Sequence, residues 1–220
     1  MMAEWNGLRW FIDTEGNGAR TSEIIELGAV ETFDLEPTGK TRRWLIRPSK
    51  PITWHATQVH GLTDQALSKC PMLHEVRPEI LSAIGSFPIA GHAVHGELDA
   101  LSRSLPGWRP LSAIDTLGLA RSILPALERH GLQSLVRDLN LGKKVQCLVG
   151  GKPHTALFDA MASALLAREL CKIAGEQTFH HAFCQAESLS RWDRMVRKRV
   201  QKKIKADQDQ VRRSGKQLEK

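Results

Sequence analysis

The pattern of apolar and polar residues predicts strands in the first part of this chain. Short runs rich in β-branched and aromatic residues occupy positions 10–16, 24–33 and 41–47. The turn sequences Gly16-Asn17-Gly18 and Pro37-Thr38-Gly39-Lys40 separate these runs, and clusters of glycine, proline and asparagine typically end strands. Because the connections are short, we predict that the three strands form an antiparallel meander.

Helical periodicity begins after residue 63, where Thr63 is a predicted N-cap for residues 64–67. Further helices are predicted at residues 74–85, 97–105, 117–124, 132–139 and 155–174, with short buried strands at 87–92 and 112–115. Strands that alternate with helices form parallel crossovers. We therefore predict an α/β fold, in which a mixed five-stranded sheet has three antiparallel strands and then parallel crossovers, flanked by helices.

The pattern changes at residue 176. Four apolar residues recur every four positions within a basic stretch: Trp192, Val196, Val200 and Ile204. This spacing predicts an amphipathic helix with one narrow apolar stripe. We therefore divide the chain into a domain at residues 1–175 and a basic helical tail at residues 176–220.

The net charge of +7 is concentrated in this tail. Residues 191–220 carry 12 Lys and Arg against 4 Asp and Glu, a net charge of +8, which leaves −1 for residues 1–190. The segment 191–213 is therefore suited to contacts with nucleic-acid phosphates, which would depend strongly on salt. The apolar stripe equally suits docking on the domain or on a protein partner, and a partly solvated helix is a third interpretation.

The composition predicts a cytoplasmic protein without a membrane partner. No apolar stretch approaches the ~20 residues that span a bilayer. Residues 1–6 have neither the basic nor the apolar region of a secretory leader. The four cysteines are scattered without a Cys-x-x-Cys pair, which fits reduced thiols rather than zinc ligands.

The candidate chemistry begins at the end of the first strand, with Asp13 and Glu15. Side chains two positions apart on a strand share a face, so both carboxylates point the same way. Converging carboxylates repel each other, and a divalent cation is the usual reason to keep both ionised. A strand that runs into a solvated turn is the alternative interpretation of this pair.

Two more groups of acids and histidines follow. His154 lies five residues before Asp159, so we place the histidine in the loop before a helix and the aspartate near its first turn. His92, Glu97 and Asp99 surround the start of another helix, directly after the fourth strand. Taken separately, these acids are also explained by the preference of carboxylates for helix N-termini.

These residues, in this order, resemble the DEDDh 3′–5′ exonucleases, the family that includes the proofreading subunits of bacterial replicative polymerases. The resemblance extends over residues 9–174 and includes residues 23–30, 59–63 and 114–116 as well as the acids. It implies a ribonuclease H-like fold and a metal-dependent exonuclease that shortens single-stranded nucleic acid, expected to be DNA, to nucleoside 5′-monophosphates. An exoribonuclease with the same site and a catalytically degenerate nucleic-acid-binding module are the alternatives.

The second acidic motif departs from the family pattern. Its histidine normally precedes an aspartate by five residues, and counting from His92 arrives at Glu97. The alternative acid, Asp99, would place polar residues at positions that the motif fills with apolar ones. We therefore prefer Glu97, although Ala93 and Gly96 replace the usual asparagine and phenylalanine.

The resemblance also implies how the acids hold metal. Asp13 would bridge two divalent ions. Glu15 and Asp159 would complete the shell of one ion, and Glu97 would hold the other, partly through water. Oxygen ligands favour Mg²⁺ or Mn²⁺ over zinc.

The remaining roles implied by the resemblance concern the water and the substrate. His154 would be the general base that deprotonates the attacking water, a task suited to the usual pKa of an imidazole. Thr14, Gly16 and His60 are the expected contacts to the terminal nucleotide.

Overall fold

The structure of the chain, a computed structural model, describes residues 5–218. Within the last helix, the side chains at positions 203, 205–207 and 209–218 are outside the described set, and with them Arg212 and Arg213 of the predicted basic tail. The described strands are β1 (Leu8–Gly16), β2 (Ile24–Phe33), β3 (Glu36–Leu45), β4 (Ile89–Gly91) and β5 (Ala113–Asp115).

The described helices fall into three groups along the chain. The first group is α1 (Trp54–His60), α2 (Asp64–Leu67), α3 (Leu73–Ile84) and α4 (His95–Ser104). The second group is α5 (Thr116–Ile123), α6 (Leu132–Asp138), α7 (Gly142–Val149) and α8 (Ala156–Ala174). The last two are α9 (Glu176–Gln185) and α10 (Leu189–Leu218). In this part of the chain, no helix is both long and apolar enough to span a membrane.

The five strands form one sheet in the order β3-β2-β1-β4-β5. The first three strands are antiparallel neighbours, whereas β4 pairs with β1, and β5 with β4, in parallel. The predicted mixed sheet is therefore confirmed. Because β1 is the central strand, its carboxyl end lies among the loops that follow β4 and β5.

The third strand begins earlier than predicted, at Glu36 rather than at residue 41. Asp34 and Leu35 both have positive φ, 51° and 65°, and form a two-residue hairpin turn that suits the right-handed twist of strands. Asp34 Oδ1 accepts a hydrogen bond from Gly7 N at 2.6 Å, which holds this turn in place. Pro37 therefore lies inside a strand, and β3 tolerates it because it is an edge strand.

The helix α7 was not predicted. Its residue Val145 is fully buried in the main apolar cluster, but a helix of eight residues with one such position leaves little periodicity in the sequence. The other predicted helices are present, and Thr63 caps α2 as predicted, with its side chain accepting from Ala66 N.

Two apolar clusters cover the two faces of the sheet. One cluster includes Phe11 and packs α8 against β1 and β2. The other includes Trp10 and packs α3 and α4 on the opposite face. Side chains alternate between faces along a strand, so Asp13 and Glu15 lie on the face covered by α8.

The helix α8 approaches the sheet closely at Gly28 of β2. A Cβ atom at this position would lie 2.3 Å from the backbone of Ala156 and Leu157, which is far inside carbon contact distance. Only glycine permits this approach. Because Gly28 pairs with Asp13 of β1, the first turn of α8 lies beside the carboxylate end of the central strand.

The helices α9 and α10 pack on the same body. Phe179 and Phe183 of α9 are buried in the cluster that contains α8. Trp192 of α10 is 8% exposed, whereas Val200 is 52% exposed. The apolar stripe of the tail therefore docks on the body only over the first part of α10. The predicted boundary at residue 175 stays a prediction, and it falls between two helices that share one core.

Candidate active site

Three carboxylates meet at the end of the central strand. Asp13 and Glu15 occupy alternate positions of β1, opposite Gly28 and Glu26 of β2. Single oxygen atoms of Asp13, Glu15 and Asp159 lie within 4.8 Å of one another. The structure therefore places the predicted acid of α8 beside the predicted pair of β1.

Asp159 is held by hydrogen bonds from two directions. Gln133 Nε2 donates to its Oδ1 at 2.8 Å, and the backbone N–H of His154 donates to its Oδ2 at 3.2 Å. Each carboxylate oxygen has two lone pairs. Both oxygens of Asp159 are thus oriented by the protein and still have capacity to bind a cation.

His154 lies at the rim of an open cleft of about 310 Å³. Asp13, Asp159, His92 and residues 131–134 also line this cleft. His154 is exposed and has a φ of 62°, a conformation that costs a residue other than glycine about 1–2 kcal/mol. The histidine is in the loop before α8, as predicted, and reaches solvent beside the acids.

The acids raise one another's pKa values. Burial raises the pKa of Asp13 well above its usual range, and the charge of Glu97 adds to this effect, followed by those of Asp159 and Glu15. Burial and the charges of Asp159 and Glu26 raise the pKa of Glu15 from 4.5 to about 8. Ionisation of all these carboxyl groups at once is therefore unfavourable, because their negative charges repel one another. A divalent cation bound between them would offset this repulsion.

Glu97 lies in the first turn of α4, outside the group of three carboxylates described above, although its charge acts on Asp13. It is 8% exposed, and burial, with the charges of Asp115 and Glu15, raises its pKa to about 8. Within residues 5–218, its Oε2 atom has no hydrogen-bond partner, which is uncommon for a buried carboxylate oxygen. A cation, or a water molecule bound to one, would satisfy this atom.

Asp99, the alternative acid of the second motif, is engaged elsewhere. Its Oδ1 accepts a hydrogen bond from Trp192 Nε1, and its Oδ2 accepts one from Arg199 Nη1, both at 2.7 Å. Both oxygens of Asp99 therefore bind the tail helix, and this residue joins α4 to α10.

The loop between β4 and α4 is fixed by residues at the end of β5. His92 Nδ1 lies 3.0 Å from Thr116 Oγ1, and His92 Nε2 lies 2.9 Å from His130 O. Because a carbonyl only accepts, Nε2 carries a proton. Burial lowers the pKa of His92. Asp115 Oδ1 accepts from the next backbone N–H after His92 at 2.8 Å. These bonds determine where α4 begins, and hence where Glu97 lies.

The residues predicted to contact the terminal nucleotide have different surroundings. Thr14 lies on the opposite face of β1 from Asp13 and Glu15, and Gly16 ends the strand at a bulge. His60 is buried at the end of α1, where its Nδ1 accepts from Leu62 N at 3.0 Å. Burial lowers the pKa of His60. Contacts from these three residues to a nucleotide stay predictions.

Two side chains near the acids were not identified as site residues from the sequence. Glu26 lies directly opposite Glu15, is fully buried, and forms an ion pair with Arg43 Nε at 2.7 Å. The alternation of β2 against β1 could have revealed Glu26. Gln133 reaches Asp159 only through the packing of α6 against α8, and no local pattern indicates it.

A group of carboxylates at the end of the central strand, open to a cleft, suits the class of metal-dependent hydrolases of phosphodiesters. Comparison with known families makes this specific. The family model of the RNase_T exonucleases matches residues 10–167, which is more than half of the chain. The chain therefore belongs to this exonuclease family, and it is a 3′–5′ exonuclease. The resemblance seen in the sequence is confirmed.

Known relatives include subunits of bacterial DNA polymerases. The DNA polymerase III subunit epsilon of Rickettsia felis is 29% identical over 175 residues, covering 74% of this chain and 72% of that protein. The subunit epsilon of Pasteurella multocida is 30% identical over 162 residues, covering 70% of this chain and 60% of that protein.

Solved structures of exonucleases share the fold. Exonuclease X in complex with 5′ overhanging duplex DNA has a TM-score of 0.60 at 24% identity, covering 80% of this chain and 99% of that one. A structure of exonuclease I has a TM-score of 0.64 at 16% identity, covering 80% of this chain and 43% of that one.

Proposed function

We propose that the chain shortens single-stranded DNA from the 3′ end in a metal-dependent reaction and releases nucleoside 5′-monophosphates. The observation that carries this proposal is the meeting of Asp13, Glu15 and Asp159 beside an open cleft. The relatives named DNA polymerase III subunit epsilon support DNA as the substrate.

The acids fit two ions, Mg²⁺ or Mn²⁺. Asp13, Glu15 and Asp159 would hold one ion, and Glu97 together with Asp13 would hold the other. The raised pKa values of Asp13 and Glu97 and the unpartnered Oε2 of Glu97 in the described residues support this fit. When bound, such ions activate the attacking water and shield charge on the phosphate.

His154 is the proposed general base. Its exposed imidazole at the rim of the cleft would accept the proton of the attacking water at a ring nitrogen. The hydrogen bond from its backbone N–H to Asp159 ties the histidine loop to the acids. Gln133 holds the same carboxylate from the other side, so it is a positioning residue.

The second candidate function is a nucleic-acid-binding module with a degenerate site. Glu97 favours it, because the family has an aspartate at this position. Its burial and its effect on the pKa of Asp13 favour retained metal binding instead. RNA as the substrate is a further variation, since the same acids would serve an exoribonuclease.

The experiment is a digestion of 5′-labelled oligonucleotides of DNA and RNA, single-stranded and duplex, with Mg²⁺, Mn²⁺ or EDTA. We expect a ladder of products shortened from the 3′ end of single-stranded DNA that requires either metal. Absence of shortening for every substrate and both metals would refute the proposal. It would favour the second candidate function, the nucleic-acid-binding module. Preferred digestion of RNA would show that RNA, rather than DNA, is the substrate.

Two variants test the roles in the same assay. Asp13→Ala is expected to abolish shortening, and His154→Ala to lower kcat by about 10²–10⁴-fold. Both variants should remain folded under the assay conditions, because neither side chain packs in an apolar cluster. Unchanged turnover in either variant would contradict its role.

We also propose a protein partner for the part of α10 around Val200 and Ile204, and a cytoplasmic location. Val200 and Ile204 are exposed on this helix, which supports a partner, and the relatives are polymerase subunits. Cys70, Cys147 and Cys171 form no disulfide, which is usual in the cytoplasm. Retention of a polymerase subunit by the full chain, and not by a chain ending at residue 199, would test the partner.

A further inference from the structure

A second cavity, of about 440 Å³, opens at a corner of the sheet next to the start of β2. Its walls are residues 21–24, residues 46–48 after β3, the start of α3 and the end of α4. Three arginines line it, Arg47, Arg77 and Arg103, with His74 beside them. We refer to this cavity as the arginine groove.

The protein itself orients two of these guanidinium groups. Arg47 Nη1 donates to Ser68 O at 3.4 Å, and Arg77 Nη2 donates to Pro106 O at 3.2 Å. A guanidinium has five N–H donors in a fixed fork. Each of these contacts therefore anchors one corner of the group and leaves further donors for a ligand in the groove.

The charge of the groove is not explained by overall composition. Residues 1–190 carry a net charge of −1, yet three arginines line this cavity with a single acid, Glu23. Both oxygens of Glu23 accept hydrogen bonds from Ser49, from N at 2.7 Å and from Oγ at 2.9 Å. The acid is thus held by neutral donors, and the structure shows no ion pair between it and these arginines within residues 5–218.

The groove is connected to the active site by one short loop. Ser22 lines the groove and packs on Gly16, the residue after Glu15, where a Cβ atom would lie 2.2 Å from Ser22 Oγ. Asn17 Oδ1 accepts from Ser22 Oγ at 3.3 Å and from Glu23 N at 3.0 Å, and these hydrogen bonds join the two ends of the loop.

The helix α4 connects the same two places. Glu97 lies in its first turn, and Arg103 lies six residues later, about 9 Å along the axis at 1.5 Å per residue. One end of α4 therefore contributes to the acidic site, and the other end contributes to the arginine groove.

We propose that the arginine groove binds the phosphate backbone of the substrate strand, upstream of the 3′ end that is held at the acids. This inference rests on the proposed function. Arginine forks bind phosphate oxygens with two parallel hydrogen bonds. A strand that enters the groove passes the loop at Ser22, so short substrates reach the acids without contacting the arginines, whereas longer ones contact both.

The test compares the variant Arg47→Gln/Arg77→Gln/Arg103→Gln with the wild type. Binding of a fluorescent oligo(dT) long enough to fill both places is measured in EDTA from about 50 to 200 mM salt. We expect at least a tenfold loss of affinity, and a decrease of about two in the slope of log K against log[salt], as for three lost phosphate contacts on a single strand. Turnover of a trinucleotide with metal should stay within about twofold of wild type, because these residues act on binding of longer strands.

A matched control carries the same change of charge outside the groove, Arg42→Gln/Lys144→Gln/Lys172→Gln. These residues are exposed and do not line the groove. The control should retain wild-type affinity and salt slope. The double variant Arg47→Gln/Arg103→Gln, which keeps the bond from Arg77 to Pro106, repeats the test if the triple variant is less stable.

Four results would overturn the inference. The first is unchanged affinity of the groove variant for the long strand, and the second is an equal loss of affinity in the control variant. The third is a parallel loss of trinucleotide turnover. The fourth is competition by polyglutamate that the groove variants relieve, because this result would assign an acidic peptide to the groove instead. If the wild type degrades nothing but the groove variants still lose affinity for oligo(dT), the proposed function fails and the groove stands as a nucleic-acid site.

Discussion

Glu97 and Asp99 lie two residues apart on α4, and their surroundings differ in kind. Glu97 is buried, and its charge raises the pKa of Asp13. Asp99 binds Trp192 and Arg199 through both oxygens. The choice between the two rested on apolar spacing in the sequence and now has a physical basis. Glu97 has an oxygen without a protein partner in the described residues, whereas both oxygens of Asp99 bind α10.

The first prediction separates these two acids. Glu97→Ala is expected to lower kcat by more than about 100-fold, since it removes a carboxylate that would hold metal. Asp99→Ala is expected to keep most activity and to lower the free energy of unfolding by about 1–2 kcal/mol, because it leaves Trp192 Nε1 without its acceptor. Metal titrations of turnover and thermal melts measure both.

Glu97→Asp is the control for this pair. It restores the acid that the family has at this position, so activity should equal or exceed that of the wild type. Loss of activity in Asp99→Ala with none in Glu97→Ala would reverse the assignment.

The second prediction concerns the pH dependence of stability. Folding raises the pKa of Glu15 from 4.5 to about 8 and that of Asp13 in the same direction. At a pH between its unfolded and its folded pKa, such an acid is ionised in the unfolded chain and protonated in the folded one. The unfolded state therefore binds fewer protons in this pH range. The melting temperature of the metal-free protein should therefore fall as pH rises from about 5 to 8.

Asp13→Asn removes one of these charges and should raise the melting temperature of the metal-free protein at pH 8, by about 2–4 °C for each kcal/mol of relieved repulsion. Mg²⁺ should stabilise the wild type and have little effect on this variant. Asp138→Asn, at an exposed position, is the control and should change neither value. A lower melting temperature for Asp13→Asn without metal would contradict the explanation.

At the scale of elements, the contact between α8 and β2 sets the geometry of the site. Asp159 reaches Asp13 because the first turn of α8 lies on Gly28, and Gly28 pairs with Asp13. The same helix is buried almost all round, with small residues such as Ala160 and Ala164 against its neighbours. The position of one glycine therefore links packing to the chemistry of the site.

The third prediction follows from this contact. Gly28→Ala places a methyl group against the backbone of α8 and should cost about 1–3 kcal/mol of stability. It should also lower kcat, because Asp159 moves away from β1. Gly142→Ala, where the nearest atom would be 3.7 Å away on Val136, is the control and should leave both quantities nearly unchanged. If Gly28→Ala has the melting temperature and the turnover of the wild type, the prediction is contradicted, because α8 could then move without affecting stability or the site.

At the scale of the whole molecule, the tail has two halves with different roles. Leu189 and Trp192 are buried, and Arg109 forms two hydrogen bonds of 2.6 Å with Asp193. Val200 and Ile204 are exposed. Removal of the whole tail from residue 191 would therefore uncover part of the core, and a shorter truncation is the informative one.

The fourth prediction compares two changes in the tail. A chain that ends at residue 201 should melt at the wild-type temperature, because it keeps Trp192, Val196 and Arg199. Trp192→Ala should cost about 3 kcal/mol or more. If the truncation leaves the salt dependence of DNA binding unchanged, the tail makes no phosphate contacts beyond that point. A large loss of stability on truncation would contradict the division of the helix.

The sequence alone was sufficient for the order of the five strands and of most helices, and it named the three carboxylates that the structure brings together. Alternation in β1 and β2, helical periodicity in α3 and α8, and the spacing of His154 and Asp159 are local properties that survive without knowledge of the fold. They also predicted that Asp13 and Glu15 share a face. The turn at Asp34 and Leu35 was not predicted, because neither residue is a glycine. Pro37 and Gly39 instead predicted a turn at residues 37–40, where the structure has the strand β3.

Only the tertiary structure decided which distant side chains meet. Glu97 was separated from Asp99 by contacts with α10, about a hundred residues away, and Gln133 was brought to Asp159 by the packing of α6 on α8. Local patterns determine the face on which a side chain lies, whereas its charge state and its partners depend on burial and on groups contributed by other elements. For this reason the sequence could name the carboxylates and predict that Asp13 and Glu15 repel each other. The effects of Glu97 and Asp159 on Asp13, and the arginine groove, appeared only in three dimensions.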